Sequence, residues 1–167
     1  MPRTPFNVIF VCMGNICRSP AAENILRHQV KQAGLEEVIN IDSAGTHDYH
    51  PGKPPDIRMC KTLRNRDIPV AGKARRFTAQ DLLDFDLILT MDNDNYQRVI
   101  ALAGSPEYER KVRKFTTFCV DPDHQLPEVP DPYYGSGSGF ELVADMLEDG
   151  CAQLLEYVRK QMESGAR

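Results

Sequence analysis

Residues 7–20 decide the fold, and they read Asn7-Val8-Ile9-Phe10-Val11-Cys12-Met13-Gly14-Asn15-Ile16-Cys17-Arg18-Ser19-Pro20. The first five form a short, mostly apolar run without polar alternation, which is typical of a strand buried on both faces. Ser19 and Pro20 are favoured at the N-cap and at the first position of a helix, so we predict a helix from there to a stop at Gly34. The stretch therefore predicts a buried strand, a short loop and a helix.

Strands and helices are predicted to alternate along the rest of the chain. We predict further strands at residues 38–43, 86–90 and 114–118. The last helix carries an apolar stripe that suits one face of a sheet, formed by Val143, Met146, Leu147, Cys151, Leu154, Leu155 and Val158. This order predicts an α/β fold of the flavodoxin-like type, a doubly wound four-stranded parallel sheet with helices on both faces. Because the sequence shows no linker or repeat, we expect residues 1–167 to form a single domain.

Composition narrows the class of protein. The net charge of -4 argues against a nucleic-acid partner, because such partners usually demand a basic excess. The first residues lead into a strand rather than a signal-peptide core, and no apolar run is long enough to cross a bilayer. We therefore expect a cytoplasmic protein without membrane insertion. Because the chain has 5 cysteines, at least one lacks a disulfide partner within it.

The loop between the first strand and the first helix carries the chemistry. Ligands of such sheets bind beyond the carboxyl ends of the strands, where this loop must lie. Gly14 and Asn15 tolerate left-handed backbone angles, so the loop can curl its N–H groups around a phosphate at the helix N-terminus. Arg18 can grip two phosphate oxygens, and the positive field favours the thiolate of Cys12. Ser19 can donate its hydroxyl to that thiolate, which makes Cys12 a nucleophile facing phosphorus.

The reaction needs a carboxylic acid to protonate the leaving group. We choose Asp131, which opens Asp131-Pro132-Tyr133-Tyr134-Gly135 in a long loop whose aromatic residues can flank a phenyl ring. From position alone, a turn residue before a proline is the favoured interpretation of Asp131. Asp92 and Asp121 are weaker candidates, since Asp92 is already explained as a helix cap. The predicted scheme has Cys12 attack first, after which Asp131 activates water against the phosphocysteine.

The sequence resembles the low-molecular-weight protein tyrosine phosphatases over nearly its whole length. Their signature matches residues 11–20, and further matches follow in order at Asp42-Ser43-Ala44-Gly45-Thr46, Thr90-Met91-Asp92 and Asp131-Pro132-Tyr133-Tyr134-Gly135. The resemblance implies hydrolysis of phosphotyrosine in proteins and of small aryl phosphates through a phosphocysteine intermediate. It also implies release of inorganic phosphate, with no metal or other cofactor.

The resemblance assigns roles to individual residues. It implies Cys12 as nucleophile, Arg18 as phosphate binder and Asp131 as general acid. Residues implied to form or support the phosphate loop are Met13, Gly14, Asn15, Ile16, Cys17, Ser19 and Ser43. Residues implied to form the substrate cleft are Tyr49, His50, Tyr133 and Tyr134. One departure is visible: many eukaryotic members have a histidine that supports the loop asparagine where this chain has Gly72.

Several alternatives stay open at this stage. Cys17 is either inert or forms a reversible disulfide with Cys12 that shields the nucleophile. His47 and His50 have the spacing of a metal pair, but no further ligands complete a site, so we assign no metal. An arsenate reductase would need two further cysteines in the middle of the chain, and residues 82–91 contain none. An arginine phosphatase would favour threonine where this chain has Ile16. Neither a flavin-binding module nor a phosphocysteine carrier would need both Arg18 and Asp131.

Overall fold

The computed structural model describes residues 4–134 and 138–165. Its sheet has four parallel strands in the order β2-β1-β3-β4. The strands are β1 Phe6–Cys12, β2 Ile39–Gly45, β3 Leu87–Thr90 and β4 Val112–Lys114. The predicted α/β class and parallel sheet are therefore confirmed, with the first strand at the centre.

Helices cover both faces of the sheet. Those in the described residues are α1 Arg18–Gln32, α2 Ile57–Arg64, α3 Ala79–Asp84, α4 Asn93–Ala103, α5 Pro106–Glu109 and α6 Ser138–Ser164. Because side chains alternate along a strand, Val8 and Phe10 of β1 enter the core shared with α1, α2 and α6. Ile9 and Val11 enter the opposite core, shared with α3 and α4. This two-faced burial is why β1 reads as a continuous apolar run.

The fourth strand is present, but its predicted bounds, residues 114–118, were wrong. Strand β4 ends at Lys114, and Phe115–Phe118 form a turn of 3₁₀-helix. Phe115 and Phe118 both enter the same core cluster. Residues three apart point to opposite faces of a strand but to the same side of a 3₁₀ turn, so only the turn buries both rings together.

The predicted N-cap of the first helix was also wrong. Helix α1 begins at Arg18 with Cys17 at the cap position, and Ser19 lies within the first turn. The Ser19 hydroxyl hydrogen-bonds to Cys12 and Asn15 in the loop after β1 instead of capping the helix. Gly34 and Gly104 do follow the ends of α1 and α4, both with φ of 71°.

Among the described helices, none combines the length and the apolar content that crossing a bilayer would need.

Gly150 is required where α6 crosses the aromatic core. A Cβ at this position would lie 2.5 Å from Cε1 of the buried Phe115. Replacing a helical glycine by alanine ordinarily gains about 1 kcal/mol. Here we expect Gly150→Ala to lower the free energy of unfolding instead, since overpacking costs about 1–3 kcal/mol.

The matched control is Gly139→Ala in the same helix, where a Cβ would lie 3.7 Å from Pro132, an ordinary contact. Urea unfolding should show a lower midpoint for Gly150→Ala and an unchanged or higher one for Gly139→Ala. A Gly150→Ala protein as stable as the native chain would contradict this packing.

Candidate active site

The loop from Cys12 to Arg18 lies at the carboxyl end of the sheet, as predicted. It is bordered by the residues that follow β2: Thr46 N donates to Cys12 O at 2.9 Å and His47 N to Met13 O at 3.0 Å. On the other side, Met91 N after β3 donates to Val11 O at 3.2 Å. The ends of three neighbouring strands therefore hold the loop between them.

The loop presents a set of unpaired backbone donors. Within the described parts of the chain, the N–H groups of residues 14–18 have no hydrogen-bond acceptor. They lead into the N-terminus of α1, a helix of 15 residues whose dipole is positive at this end. Such an array of N–H groups at a helix N-terminus is a ready anion-binding site.

Asn15 fixes the curl of the loop. It has a φ of 58°, in the left-handed region that asparagine tolerates, and its side chain is buried. Its Nδ2 donates to Ser19 Oγ at 2.8 Å and to Ser43 Oγ at 2.9 Å. Its Oδ1 accepts from Arg75 N at 3.0 Å. One buried amide thus ties the loop to α1, to β2 and to the segment before α3.

Cys12 and Ser19 form a hydrogen-bonded pair, with 2.9 Å between Cys12 Sγ and Ser19 Oγ. Because Asn15 already donates to Ser19 Oγ, the hydroxyl proton remains available for another acceptor. Two acceptors lie near this hydroxyl, and Cys12 Sγ is closer to Ser19 Oγ than Ala44 O is, which lies 3.4 Å away. The arrangement suits a Ser19 hydroxyl that donates to a Cys12 thiolate.

Glu23 is a part of this network that the sequence did not predict. Ser43 Oγ donates to Glu23 Oε1 at 2.5 Å, and Arg27 Nη2 pairs with Glu23 Oε2 at 2.5 Å. A Cβ on Gly72 would lie 3.8 Å from both carboxylate oxygens of Glu23. Gly72 has no side chain with which to support the loop. Glu23 of α1 lies beside it, is held by Arg27, and supports the loop through Ser43 and Asn15.

Arg18 is buried beneath the loop with carboxylates around it. Its Nη1 donates to Asp92 Oδ2 at 2.6 Å and to Val129 O at 3.1 Å, and its Nη2 lies 3.4 Å from Asp131 Oδ2. Burial by itself lowers the pKa of Arg18, but the neighbouring charges of Cys12, Asp92 and Asp131 outweigh it and raise the pKa above its usual value. The guanidinium therefore stays charged where an anion would bind.

Asp131 and Asp92 both reach this site. Asp131 Oδ1 accepts from Tyr133 N at 3.0 Å, which leaves Oδ2 facing Arg18. Asp92 caps α4 as predicted, since its Oδ1 accepts from Asn95 N at 2.8 Å. Its second oxygen holds Arg18, and this role was missed because the cap alone already explained the residue.

The predicted residues meet in one cleft above the loop. Its lining is formed by Cys12, Met13, Gly14, Ile16, Cys17, Arg18, Tyr49, His50, Asp131 and Tyr133. The ring centroids of His50 and Tyr133 are 6.2 Å apart, and His47 stacks on Tyr49 at 4.9 Å. The predicted supports Asn15, Ser19 and Ser43 are buried and do not line the cleft. The predicted role of Tyr134 concerns a side chain outside the described residues.

Cys17 lines the cleft but differs from Cys12 in its surroundings. Burial, and after it the charges of Asp56 and Cys12, raise the pKa of the Cys17 thiol far above its usual value. Cys17 is therefore a neutral thiol near neutral pH. The predicted core positions of Cys60, Cys119 and Cys151 are confirmed, and burial raises the pKa of Cys119 to about 12.

Residues 7–164 match the model of the low molecular weight phosphotyrosine protein phosphatase family. The chain belongs to this family. It is 48% identical to a low-molecular-weight protein-tyrosine-phosphatase of Synechocystis, over 93% of this chain and 98% of the relative. The corresponding YfkJ protein of Bacillus subtilis is 40% identical, over 94% and 98% of the two chains.

Solved structures agree with this assignment. A protein tyrosine phosphatase from Entamoeba histolytica superposes with a TM-score of 0.87 at 40% identity, over 96% of this chain and 98% of that one. The resemblance seen in the sequence is confirmed, and the chain is a protein tyrosine phosphatase, a hydrolase of the cysteine-based low-molecular-weight class.

Gly45 sets how closely β2 approaches the phosphate-binding loop. A Cβ at Gly45 would lie 2.8 Å from Met13 O and 3.1 Å from Asn15 N, both backbone atoms that cannot rotate away. We expect Gly45→Ala to push the loop off its curl and to weaken binding of inorganic phosphate at least about tenfold, a cost of about 1.4 kcal/mol. Titration calorimetry of Gly45→Ala against Gly139→Ala measures this. Native phosphate affinity in Gly45→Ala would contradict the close approach.

Proposed function

We propose that Cys12, Arg18 and Asp131 are the catalytic residues for hydrolysis of phosphotyrosine in proteins. In the first step the Cys12 thiolate forms an S–P bond as the P–O bond to tyrosine breaks, and Asp131 gives its proton to the departing phenolate oxygen. In the second step a water oxygen bonds to phosphorus, its proton passes to Asp131, and the S–P bond breaks. The products are inorganic phosphate and the Cys12 thiolate, to which Ser19 donates.

One observation carries this proposal. A nucleophilic sulfur, a buried guanidinium, a carboxyl group and a curl of unpaired N–H groups open into the same cleft. Arg18 uses Nη1 for Asp92 and Val129 and one N–H of Nη2 toward Asp131, so Nε and the second N–H of Nη2 can donate to two phosphate oxygens. The N–H groups can donate hydrogen bonds to the equatorial oxygens and so stabilise the negative charge on them in the transition state. Positioning and charge stabilisation are thus both supplied by groups already in place.

The walls of the cleft support an aryl substrate. Tyr49 and Tyr133 are exposed aromatic residues at its rim, and Ile16 adds apolar surface beside the loop. Aromatic and aliphatic surfaces suit a phenyl ring, whereas the polar phosphoguanidino group of phosphoarginine would favour a hydroxyl partner at the position of Ile16. We therefore propose phosphotyrosine-containing proteins as the partners of this site. We also propose a cytoplasmic location, which recovery of the native protein in a secreted fraction of its cells would contradict.

The assignment of roles predicts a clear ranking of variants. In steady-state hydrolysis of p-nitrophenyl phosphate with excess chelator, Cys12→Ser should abolish turnover. Asp131→Asn should lower kcat by a factor on the order of 10² to 10⁴, the range of general-acid contributions.

Asp121→Asn is the control, because Asp121 is the rival carboxylate and its side chain caps the turn at Asp123. It should retain native turnover. Full activity in Asp131→Asn would remove Asp131 from its role. A native chain that takes up one phosphate on Cys12 without turning over would be a phosphocysteine carrier instead.

We further propose that Cys17 protects Cys12 by forming a disulfide. Peroxide oxidises the Cys12 thiolate to a sulfenic acid, and the Cys17 thiolate then attacks that sulfur and displaces hydroxide. Because burial raises the pKa of Cys17, its thiolate is scarce near neutral pH, so the disulfide should form faster as pH rises.

Reactivation after mild peroxide treatment tests this redox role. The native chain should regain activity with dithiothreitol, Cys17→Ser should not, and Cys60→Ser should behave as native. Mass spectrometry should find the disulfide in the native chain. A native chain that accumulates the Cys12 sulfinate instead would contradict the proposal.

A further inference from the structure

Arg58, near the start of α2, contacts the loop that carries Asp131 directly and is connected to the loop of Cys12 through Asp56. Its Nε and Nη2 donate to the two carboxylate oxygens of Asp56 at 3.1 Å and 3.0 Å. Its Nη2 also donates to Tyr133 O at 3.2 Å, in the loop that carries Asp131. Its guanidinium carbon lies 4.7 Å from the ring centroid of Phe140 and 5.4 Å from that of Tyr133.

Asp56 connects this guanidinium to the phosphate-binding loop. The backbone N–H of Asp56 donates to Ile16 O at 2.7 Å, and Asp56 Oδ1 caps α2 by accepting from Arg58 N at 2.8 Å. A forked guanidinium on a carboxylate is a rigid contact, since two parallel bonds fix its plane. The first turn of α2 therefore holds Arg58 at a set position relative to the loop of Cys12.

The same guanidinium fixes the turn that presents Asp131. Tyr133 is held at both of its backbone groups: its N–H donates to Asp131 Oδ1 and its C=O accepts from Arg58. The N–H bond sets the orientation of the Asp131 carboxyl, and the C=O bond sets where the turn sits above Cys12. Misplacement of an acid by about 1 Å can cost a factor of about 10² in rate.

A second arginine nearby, Arg66, makes contacts that are only structural. Arg66 follows the end of α2 and pairs with Glu141 and Asp145 of α6 at 2.5 Å and 2.8 Å. These bonds fasten α2 to α6 and involve neither catalytic loop. Exposed ion pairs of this kind contribute little to stability. The difference is that Arg58 joins the two loops whose relative position the chemistry requires.

We propose that Arg58 is a positioning residue for proton transfer, acting through Tyr133 to set the distance between Asp131 and the leaving-group oxygen. This rests on the proposed function, in which Asp131 protonates that oxygen. Loss of Arg58 should then lower kcat/KM most for the substrates whose leaving group depends most on protonation. Phenyl phosphate, with a basic leaving group, needs it most, and an aryl phosphate with a strongly acidic phenol needs it least.

The experiment measures kcat/KM for a series of aryl phosphates with phenols of increasing acidity. Arg58→Met keeps the apolar stem against Phe140 and removes the fork, and Arg58→Lys keeps the charge without the fork. In both, kcat/KM should fall about tenfold or more for phenyl phosphate and about twofold or less for the most acidic phenol. Arg64→Met, which removes an exposed charge from the same helix, should follow the native series.

Asp131→Asn provides the second half of a double-mutant cycle. If Arg58 acts through Asp131, adding Arg58→Lys to Asp131→Asn should change kcat/KM for phenyl phosphate by less than about twofold. A uniform loss across the series, or losses that multiply in the double variant, would overturn the inference. A native chain without turnover would overturn the proposed function instead, so the two failures are distinct. If Arg58→Met does not fold, Arg58→Lys alone decides.

Discussion

The arrangement of the active site depends on one buried side chain, the amide of Asn15. Curling the chain so that successive N–H groups point to one centre requires a left-handed residue, which carries an energetic cost outside glycine. The amide offsets that cost by bonding Ser19, Ser43 and the backbone of Arg75 at once. Because these partners lie on three different segments, the fold as a whole holds the loop in its curl before any anion arrives.

Two chains of contacts spread from that loop. One runs through Ser43 and Glu23 to Arg27 on the surface of α1, and it supports the loop where Gly72 offers no side chain. The other runs through Asp56 and Arg58 to the turn of Asp131. A buried cation such as Arg18 is costly unless it is paired, and Asp92 provides the pairing from the end of β3. The contacts that hold the loop and the ion pair that balances the charge of Arg18 therefore belong to one connected network.

The sequence was most informative where a short stretch is under local constraint. The β1 strand, the loop after it and the glycine stops of α1 and α4 follow from residue types that few other conformations accommodate. It failed at Phe115 and Phe118, because an apolar run does not say whether its rings share one face. It also failed at Ser19, whose hydroxyl bonds to Cys12 and Asn15 in the loop before α1 instead of capping the helix.

The roles of residues that depend on tertiary contacts could not be predicted from the sequence. Glu23 looks like a solvated helix residue until Ser43 is placed beside it, and Arg58 looks like one more charge on a short helix. Asp92 was read correctly as a cap, yet its second oxygen serves Arg18. In each case the missing information is which distant segment lies opposite, and local spacing does not encode it. The assignment of Asp131 relied on the family resemblance for the same reason.

In the proposed mechanism, Cys12 carries the phosphoryl group between the two chemical steps. The most direct measurement mixes native protein with p-nitrophenyl phosphate, quenches in acid within one turnover and maps phosphate by mass spectrometry. The covalent mechanism predicts a burst of one nitrophenolate per chain and phosphate on Cys12 alone. Turnover without a burst, with no phosphate on Cys12 at any time of quenching, would contradict the covalent mechanism and point to direct attack by water.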